Sequence, residues 1–256
     1  MGRWLGRLSF HSMKVETYIV TWNREDTIHL TLSYYLNLGK VILYDNFSDD
    51  GTREIAEAMG ADVRLFGRAG QLDDQCYLDI KNHAWKKSQA DWVIVVDDDE
   101  ILYHPNLAQK LQESTAQGVT IFKPQGFSIY SEQMPLESWL EIETGFKDDK
   151  YSKLCCFNPQ KITDIGYIYG CHEVGRRFPQ GVVNFSNDLY LLHYHGVGGA
   201  ERMIKRHEKY AKRLSPLNRR WGLGKEYENT PESKRKWFQE QIKKSYSFQS
   251  LLSLGE

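Results

Sequence analysis

The apolar run Trp92-Val93-Ile94-Val95-Val96 leads directly into four acidic residues, Asp97-Asp98-Asp99-Glu100. The run is short, continuous and rich in β-branched residues, which predicts a strand buried on both faces. In open α/β sheets, ligands gather beyond the C-terminal ends of such strands. Side chains alternate along a strand, so we expect Asp97 and Asp99 to point to one side and Asp98 and Glu100 to the other. Converging carboxylates need a cation, and an oxygen site suits Mg²⁺ or Mn²⁺, whereas the alternative is a solvated acidic turn.

The composition indicates a nearly neutral chain with an uneven charge distribution. Its 256 residues are 41% hydrophobic and 13% aromatic, enough for one large domain or a domain with a small appendage. The formal net charge is -1, so no overall field steers the protein toward nucleic acid. Lys and Arg are concentrated in residues 200–246, and acidic groups are concentrated between Asp45 and Asp99.

The cysteines and the apolar segments indicate a cytoplasmic protein. The cysteines show no C-x-x-C spacing, which is typical of free thiols in a reducing compartment. No apolar stretch approaches the roughly 18–20 residues that cross a bilayer. Residues 1–12 lack the apolar core of a secretory signal, and we expect them to form a flexible extension. Trp4, Leu5, Leu8 and Phe10 within it could instead contact a membrane surface, which leaves peripheral membrane contact open.

Strand and helix patterns alternate through the first half with short connections, as in a mostly parallel sheet. Strands are predicted over 15–20, 41–44, 62–66 and 92–96. Helices are predicted from an Asp26 cap to Gly39, from Thr52 to Gly60, and over 72–88. Later in the chain we expect short strands over 119–122, 153–157, 166–169 and 189–194, and a loop over the site at 125–150. Three further helices are predicted near Leu107 and over 200–214 and 232–246.

Polar segments follow three of the predicted strands. They are Tyr18-Ile19-Val20-Thr21-Trp22-Asn23-Arg24-Glu25, Tyr44-Asp45-Asn46-Phe47-Ser48-Asp49-Asp50-Gly51-Thr52, and the acidic tetrad at 97–100. In this order and at these separations they resemble family 2-like glycosyltransferases of the GT-A fold. In that family one strand ends in a polar loop with Asn, a second in D-x-x-S-x-D-G-T, and a third in the D-x-D metal motif. Segments 153–159, 170–172 and 191–194 resemble the bacterial D-x-D-E subtype.

The resemblance implies an α/β protein with the GT-A fold, in which helices flank a mostly parallel central sheet and further helices follow at the C-terminus. Residues 13–199 would form the catalytic domain, with a nucleotide-binding half over 13–105 and an acceptor half over 106–199. Residues 200–256 would form a basic helical appendage. One departure is Asp98 in the middle of D-x-D, where the family more usually has a small or neutral residue. With a third carboxylate in the motif, the sequence leaves open which carboxylates hold the metal.

The resemblance also implies residues that bind the nucleotide. Asp45 would accept a hydrogen bond from the imide N–H of the base, with Thr21 and Asn23 lining the same pocket. The alternative for Asp45 is a cap in a turn. Lys81 and Asn82 resemble a pair that faces the nucleotide in this family, although an exposed lysine on a solvated helix is equally compatible with the sequence.

Further donor contacts are implied at both ends of the site. Asp97 would contact the ribose or the metal, and Asp98 belongs to the same donor-binding set. Asp74 could lie at the mouth of the pocket, although an acidic residue near a helix start is usually a cap. Arg202 begins a helix where cations, including Lys205 and Arg206, could neutralise a diphosphate. A plain basic helix face is the alternative.

For the metal, the resemblance implies Asp97, Asp99 and His193. Several GT-A enzymes complete the site with a late His followed by an aromatic residue and Gly, as in Leu192-His193-Tyr194-His195-Gly196. Neutral imidazole suits Mn²⁺. His195 lies on the same predicted strand face and is the substitute ligand. A structural histidine is the alternative in each case.

The acceptor side would be lined by His172 and Glu173. An inverting transfer needs one group to take the proton of the acceptor hydroxyl as the sugar carbon is attacked. The sequence offers Glu173, His172 and Asp164 for this role and does not choose among them.

The sequence therefore predicts a metal-dependent glycosyltransferase, inverting, with a UDP- or GDP-sugar donor, Mn²⁺ or Mg²⁺, and a glycan or lipid-linked glycan acceptor from cell-surface polysaccharide synthesis. A sugar-phosphate nucleotidyltransferase would need a glycine-rich loop after the first strand, and Thr21-Trp22-Asn23-Arg24-Glu25 has no glycine. A non-catalytic metal- or glycan-binding module is the rival outside enzymes.

Overall fold

The computed structural model describes residues 13–248. Its first part alternates strands and helices, because β-branched runs are separated by amphipathic segments and glycine-terminated turns. The elements are β1 (Val15–Thr21), α1 (Ile28–Leu36), β2 (Lys40–Asp45), α2 (Thr52–Ala58), β3 (Asp62–Leu65), α3 (Asp74–His83) and β4 (Trp92–Asp97). All four strands are parallel, with Val20 opposite both Tyr44 and Asp97. The four predicted strands are confirmed.

The second part mixes short strands with helices. Its elements are β5 (Glu100–Tyr103), α4 (Leu107–Ala116), β6 (Ile121–Phe122), β7 (Gln125–Ser131), β8 (Thr144–Lys147), β9 (Cys156–Phe157), β10 (Ile162–Asp164), β11 (Gln180–Gly181), β12 (Phe185–Ser186), β13 (Tyr190–Val197), α5 (Gly199–Arg213), α6 (Pro216–Trp221), α7 (Pro231–Lys244) and β14 (Tyr246–Ser247). Three single-turn 3₁₀ helices cover Trp139–Glu141, Asp149–Tyr151 and Lys225–Glu228.

Two sheets organise these elements. The first has seven strands in the order β12-β6-β9-β4-β1-β2-β3, in which only β9 runs antiparallel to its neighbours. The second has five strands in the order β14-β8-β7-β13-β5. Strand β9 from the second half joins the first sheet beside β4, and β5 from the first half pairs with β13. The two predicted halves therefore share strands, and α/β architecture with a mostly parallel central sheet is confirmed.

The core lies on both faces of the first sheet. Ile94 and Val96 of β4 pack into one apolar cluster, and Val93 and Val95 pack into the other. All four side chains are at most 2% exposed. This burial on both faces is what the unbroken apolar run predicts, and it fixes the position at which the acidic tetrad leaves the sheet.

Several predicted elements are wrong in the second half. The predicted loop over 125–150 contains β7 and β8, because Phe127 and Ile129 are buried in the core. Residues 166–169 form no strand but an irregular segment with one isolated bridge between Tyr167 and Val174. The strand predicted over 153–157 is shorter in the structure, because only Cys156 and Phe157 form β9 and pair with β4.

Helix boundaries also differ from the predictions. The N-cap position of helix α1 is Thr27, whose side chain makes no capping hydrogen bond, and the Asp26 carboxylate is bound to Arg202. Helix α3 starts after Asp73, which caps it, and ends before Ser88. The predicted extension over 1–12 lies outside the described residues, as do residues 249–256 of the predicted appendage. Within residues 13–248, no helix combines the length and apolar character that a membrane crossing requires.

Candidate functional site

The polar segments meet at the carboxyl edge of the first sheet, because β1, β2 and β4 are parallel neighbours. The hydroxyl of Thr21 at the end of β1 donates to Asp98 Oδ2 at 2.6 Å. The loops after β1 and β2 are joined by Asn23 and Asp49: Asn23 Nδ2 donates to Asp49 Oδ1 at 2.5 Å, and the Asp49 N–H returns a bond to Asn23 Oδ1. The three segments thus form one rigid polar edge.

A buried arginine holds two of the acidic residues. Arg24 Nε lies 2.8 Å from Asp98 Oδ1, and Nη2 lies 3.1 Å from Asp99 Oδ2. Burial raises the pKa of Asp98 to about 6, although the Arg24 charge opposes that shift. No role for Arg24 was predicted from the sequence. Its partners are far away in the chain, so no local pattern could have revealed them.

Asp97 occupies a separate ion-pair cluster. Lys81 Nζ lies 2.6 Å from Asp97 Oδ1, and Lys153 Nζ lies 3.4 Å from Oδ2. Lys153, which is 1% exposed, also forms an ion pair with the fully buried Glu100. Burial raises the pKa of Asp97, but Lys81 and Lys153 outweigh it and hold that pKa well below its usual range. Lys81 faces this carboxylate.

The expected alternation of the tetrad is wrong. Strand β4 ends at Asp97, and Asp98 and Asp99 form a turn before β5 begins at Glu100. Period-two alternation holds only within a strand, so it does not carry Asp99 to the side of Asp97. Asp98 and Asp99 instead share Arg24.

A different set of ligands comes together around Asp99. Oxygen and nitrogen atoms of Asp99, His193 and His195 all lie within 4.8 Å of one another. The two imidazole rings lie 5.3 Å apart, where the pairing of β13 with β7 shifts register between His193 and Gly196. The Tyr194 N–H donates to the Asp99 carbonyl at 2.7 Å, which holds the strand beside the turn. Asp97, a predicted ligand, lies outside this group, and His195 takes its place. We call these three residues the metal group.

The donor set of the metal group fits a divalent transition ion. One carboxylate oxygen and two imidazole nitrogens suit Mn²⁺, and His193 Nδ1 is buried without a hydrogen-bond partner in the described residues. Burial, reinforced by the Arg206 charge, holds the pKa of His195 well below its usual range, so this ring is in the neutral form that binds metal. Burial also raises the pKa of Asp99, but His193 and Arg24 lower it further than burial raises it.

Arg206 of α5 reaches the same centre. Its Nη2 donates to the His195 carbonyl at 2.5 Å, and its Nη1 lies 3.8 Å from Asp99 Oδ2. Nε and Nη1 are buried without a hydrogen-bond partner among the described residues. Arg202, the predicted donor contact on this helix, is instead bound to Asp26, with Nη2 at 2.8 Å from the carboxylate.

The remaining predicted donor contacts are engaged in structural bonds. The fully buried Asp45 accepts from the Ser48 N–H at 2.8 Å and from its hydroxyl at 2.5 Å, and burial raises the pKa of Asp45. Asn82 exchanges two hydrogen bonds with the backbone of Tyr167. Asp74 accepts from Asn218 Nδ2 at 2.9 Å, which ties α3 to α6.

The candidate bases lie in different surroundings. The ring of His172 packs edge-on to Tyr151 at 4.9 Å, and Tyr151 lies 4.2 Å from the ring of His193. Burial, with the Lys153 charge, lowers the pKa of His172 to about 3. Asp164 is paired with Lys86 at 3.2 Å, and Glu173 is exposed. Tyr151, which links His172 to the metal group, was not identified from the sequence.

A cavity of about 350 Å³ opens beside the loops that follow β1 and β2. Its wall combines two aromatic rings, three cations and two polar side chains. They are Trp22, Phe47, Lys209, Lys212, Arg213, Asn23 and Asp49. We call it the α5 cavity, because that helix supplies all three cations. Of the predicted base contacts, Asn23 lines it.

Comparison with known proteins identifies the family. The family described as Glycosyl transferase family 2 matches residues 17–159, more than half of the chain and including every strand end described above. An uncharacterized glycosyltransferase of Rickettsia typhi is 34% identical over 101 residues, which are 39% of this chain and 31% of that protein. The chain thus spans about a third of the length of this relative.

Two solved structures show a more distant likeness. Crystalline S. aureus TarS 1–349 aligns with a TM-score of 0.41 and 15% identity over 57% of this chain and 47% of its own. Glucosyl-3-phosphoglycerate synthase from Mycobacterium tuberculosis, in complex with Mn²⁺ and UDP-glucose, aligns with a TM-score of 0.34 and 22% identity over 44% of each chain. The family match, together with the mostly parallel sheet flanked by helices, confirms the predicted GT-A fold. The chain belongs to glycosyl transferase family 2.

Proposed function

We propose that the protein is a metal-dependent, inverting glycosyltransferase that moves a sugar from a nucleotide-diphosphate sugar to a hydroxyl acceptor. The observation that carries the proposal is the metal group beside Arg206. It combines three potential ligand side chains with an arginine whose Nε and Nη1 are buried and have no hydrogen-bond partner among the described residues. That combination suits a ligand that brings both a divalent ion and phosphate oxygens.

Each group of side chains in the site has a different proposed role. Asp99, His193 and His195 would hold Mn²⁺ or Mg²⁺, which acts on the diphosphate leaving group as a Lewis acid. Arg206 would donate its unpaired N–H groups to phosphate oxygens. Arg24 keeps Asp98 and Asp99 ionised and in place. The Asp97 ion-pair cluster orients the strand end from the opposite side.

His172 is the candidate base that the structure favours. It connects through Tyr151 to the metal group, and its Nδ1 is buried without a hydrogen-bond partner in the described part of the chain. Its pKa of about 3 keeps the ring neutral at pH 7 but makes it a weak base, so Nδ1 would take the proton of the acceptor hydroxyl only once a bound substrate raises that pKa. Asp164 is already paired with Lys86, which leaves it less suited.

The acceptor and the location belong to the same proposal. The resemblance to bacterial enzymes supports a glycan or lipid-linked glycan of the cell surface as acceptor. The four cysteines are free, which supports a reducing, cytoplasmic compartment. Peripheral membrane contact, if present, would bring the enzyme to a lipid-linked acceptor.

The test is calorimetric titration of UDP and GDP with Mn²⁺ and with EDTA. We expect nucleotide binding to require the ion and to be lost in Asp99→Asn. Asp188→Asn is a matched control, because this exposed carboxylate pairs with Lys110 away from the site. Undiminished affinity in EDTA would refute the metal role. Metal uptake without any nucleotide binding would indicate a binding module instead of an enzyme.

A further inference from the structure

One face of helix α5 connects the metal group to the α5 cavity. Arg206 contacts Asp99, and Arg213 stacks its guanidinium 3.5 Å from the ring centroid of Trp22. Tyr210, between them, has its ring 5.6 Å from that of Trp22. At 1.5 Å per residue, Arg206 and Arg213 are separated by about 10 Å along the helix axis. One nucleotide could therefore contact both.

Arg213 is a buried cation with unused donors. It is 8% exposed, and its Nη2 donates to Asn46 Oδ1 at 2.6 Å and to the Asn46 carbonyl at 3.2 Å. Its Nε and Nη1 are buried and have no hydrogen-bond partner in residues 13–248. No carboxylate in that range lies within ion-pair distance. Buried cations are normally paired, so these donors indicate a ligand that accepts hydrogen bonds.

The lining of the cavity includes a second aromatic side chain besides Trp22. It belongs to Phe47, whose backbone lies in the left-handed region, with φ at 58°. An aromatic residue rarely adopts that conformation, and here the Asp45–Ser48 turn holds it. The volume of about 350 Å³ is within the range of small-molecule sites. Aromatic walls and a guanidinium edge together suit a heterocyclic base.

We infer that the α5 cavity takes the base of the donor nucleotide and that Arg213 selects bases with a carbonyl oxygen at the recognised edge. This inference rests on the proposed function. A guanidinium only donates hydrogen bonds. Uracil presents O4 and guanine presents O6 as acceptors, whereas cytosine and adenine present an amino group at the matching position. Arg213 would therefore favour uracil or guanine over cytosine or adenine, and act as a specificity-determining residue.

The experiment compares UDP, GDP, CDP and ADP by calorimetry with Mn²⁺. We expect the wild-type protein to bind UDP or GDP at least roughly tenfold more tightly than CDP and ADP. Arg213→Lys keeps the charge and a donor for Asn46 but loses the planar fork. We expect its preference to shrink to about threefold or less while binding still requires Mn²⁺. Arg213→Met should show the same loss, and Arg220→Met, on the exposed face of α6, should not.

The outcomes separate the two proposals. If no nucleotide binds the wild-type protein in the presence of Mn²⁺, the proposed function fails, and this inference fails with it. If binding requires Mn²⁺ but the wild type shows no preference among the bases, or prefers CDP or ADP, only the inference is refuted. An unchanged preference in a folded Arg213 variant refutes it as well. Because the wild-type preference is itself a test, an unstable variant does not leave the question open.

Discussion

His193 Nε2 lies 3.3 Å from Asp99 Oδ1, although His193 belongs to strand β13 and Asp99 to the turn between β4 and β5. The backbone bond from Tyr194 to the Asp99 carbonyl makes this distance a consequence of strand pairing. The pairing of the second sheet therefore places His193 beside the acidic turn, and His195 follows on the same face of β13.

We expect His193→Ala and His195→Ala each to raise the Mn²⁺ concentration needed for nucleotide binding. Each variant removes one nitrogen ligand from the metal group and leaves Asp99 in place. Manganese affinity is measured by calorimetry in the presence of UDP or GDP. His83→Ala, at the exposed end of α3, is the control. Curves that overlay the wild type would remove the mutated histidine from the ligand set.

Lys153→Met should destabilise the fold by about 3–5 kcal/mol, because it leaves the fully buried Glu100 without its ion-pair partner and Asp97 with one neutralising cation fewer. Denaturant unfolding measures this loss. Lys86→Met is the control, because its pair with Asp164 is partly exposed and should contribute only about 0–1 kcal/mol. Equal effects in the two variants would show that the Asp97 cluster adds no stability.

Asp45→Ala should weaken nucleotide binding without abolishing Mn²⁺ uptake, because Asp45 lies apart from the metal group. Ser48→Ala should reproduce part of that loss, since it removes the hydroxyl bond to Asp45 Oδ2 and keeps the backbone N–H bond to Oδ1. The lost bonds to a charged group are worth about 1.5–3 kcal/mol. Nucleotide titrations of both variants decide the point. A large loss of nucleotide affinity in Asp45→Ala with no loss in Ser48→Ala would indicate that Asp45 contacts the nucleobase directly.

Replacing His172, the proposed general base, should lower turnover while binding of the nucleotide-sugar donor is retained. His172→Asn is expected to cost roughly 10²–10⁴-fold in sugar transfer, the usual range for general base catalysis. Asp164→Asn should have little effect, because that carboxylate is held by Lys86. Glu173→Gln tests the third candidate. If Glu173→Gln alone stops transfer, the base is the exposed carboxylate and not His172.

Acid should destabilise the protein partly through His207. This side chain is 5% exposed, and burial, together with Arg206 and Lys234, lowers its pKa to about 3. The unfolded state takes up a proton near pH 6.5 and the folded state does not. Stability from this group is therefore complete above about pH 6.5 and is lost as pH falls toward about 3, by up to about 1.4 kcal/mol per unit.

The free energy of unfolding as a function of pH checks this, because the slope between about pH 6 and 4 should be shallower in His207→Leu than in the wild type. His83→Leu, an exposed position, should leave the slope unchanged. Parallel curves for His207→Leu and the wild type would show that His207 is not protonated selectively in the unfolded state.

The sequence predicted the strand ends well because local signals define them. Unbroken β-branched runs such as 92–96 identify buried strands, and polar residues after them must lie at one edge of a parallel sheet. Strand β7 was missed because small residues interrupt its pattern. Gly126 is required there, since a Cβ would lie 2.5 Å from the carbonyl carbon of Tyr151.

The partners of the charged groups were not predictable from the sequence. Asp97 pairs with Lys81 and Lys153, and Asp99 with Arg24, through contacts that depend on how the two sheets meet. The alternation rule failed once the chain left β4, because a turn has no fixed period. Family resemblance pointed to His193, with His195 as its substitute on the same strand face, but the sequence did not indicate that both would lie beside Asp99 together.

Helix α5 starts at Gly199, forty residues after the family match ends at residue 159. Yet it supplies the three cations of the cavity and the arginine beside the metal group. The segment that matches the family and the segment that supplies these cations are thus separate stretches of chain. The sequence of one can change while that of the other is kept, so two proteins can share the whole family signature and still differ in the cations that α5 supplies.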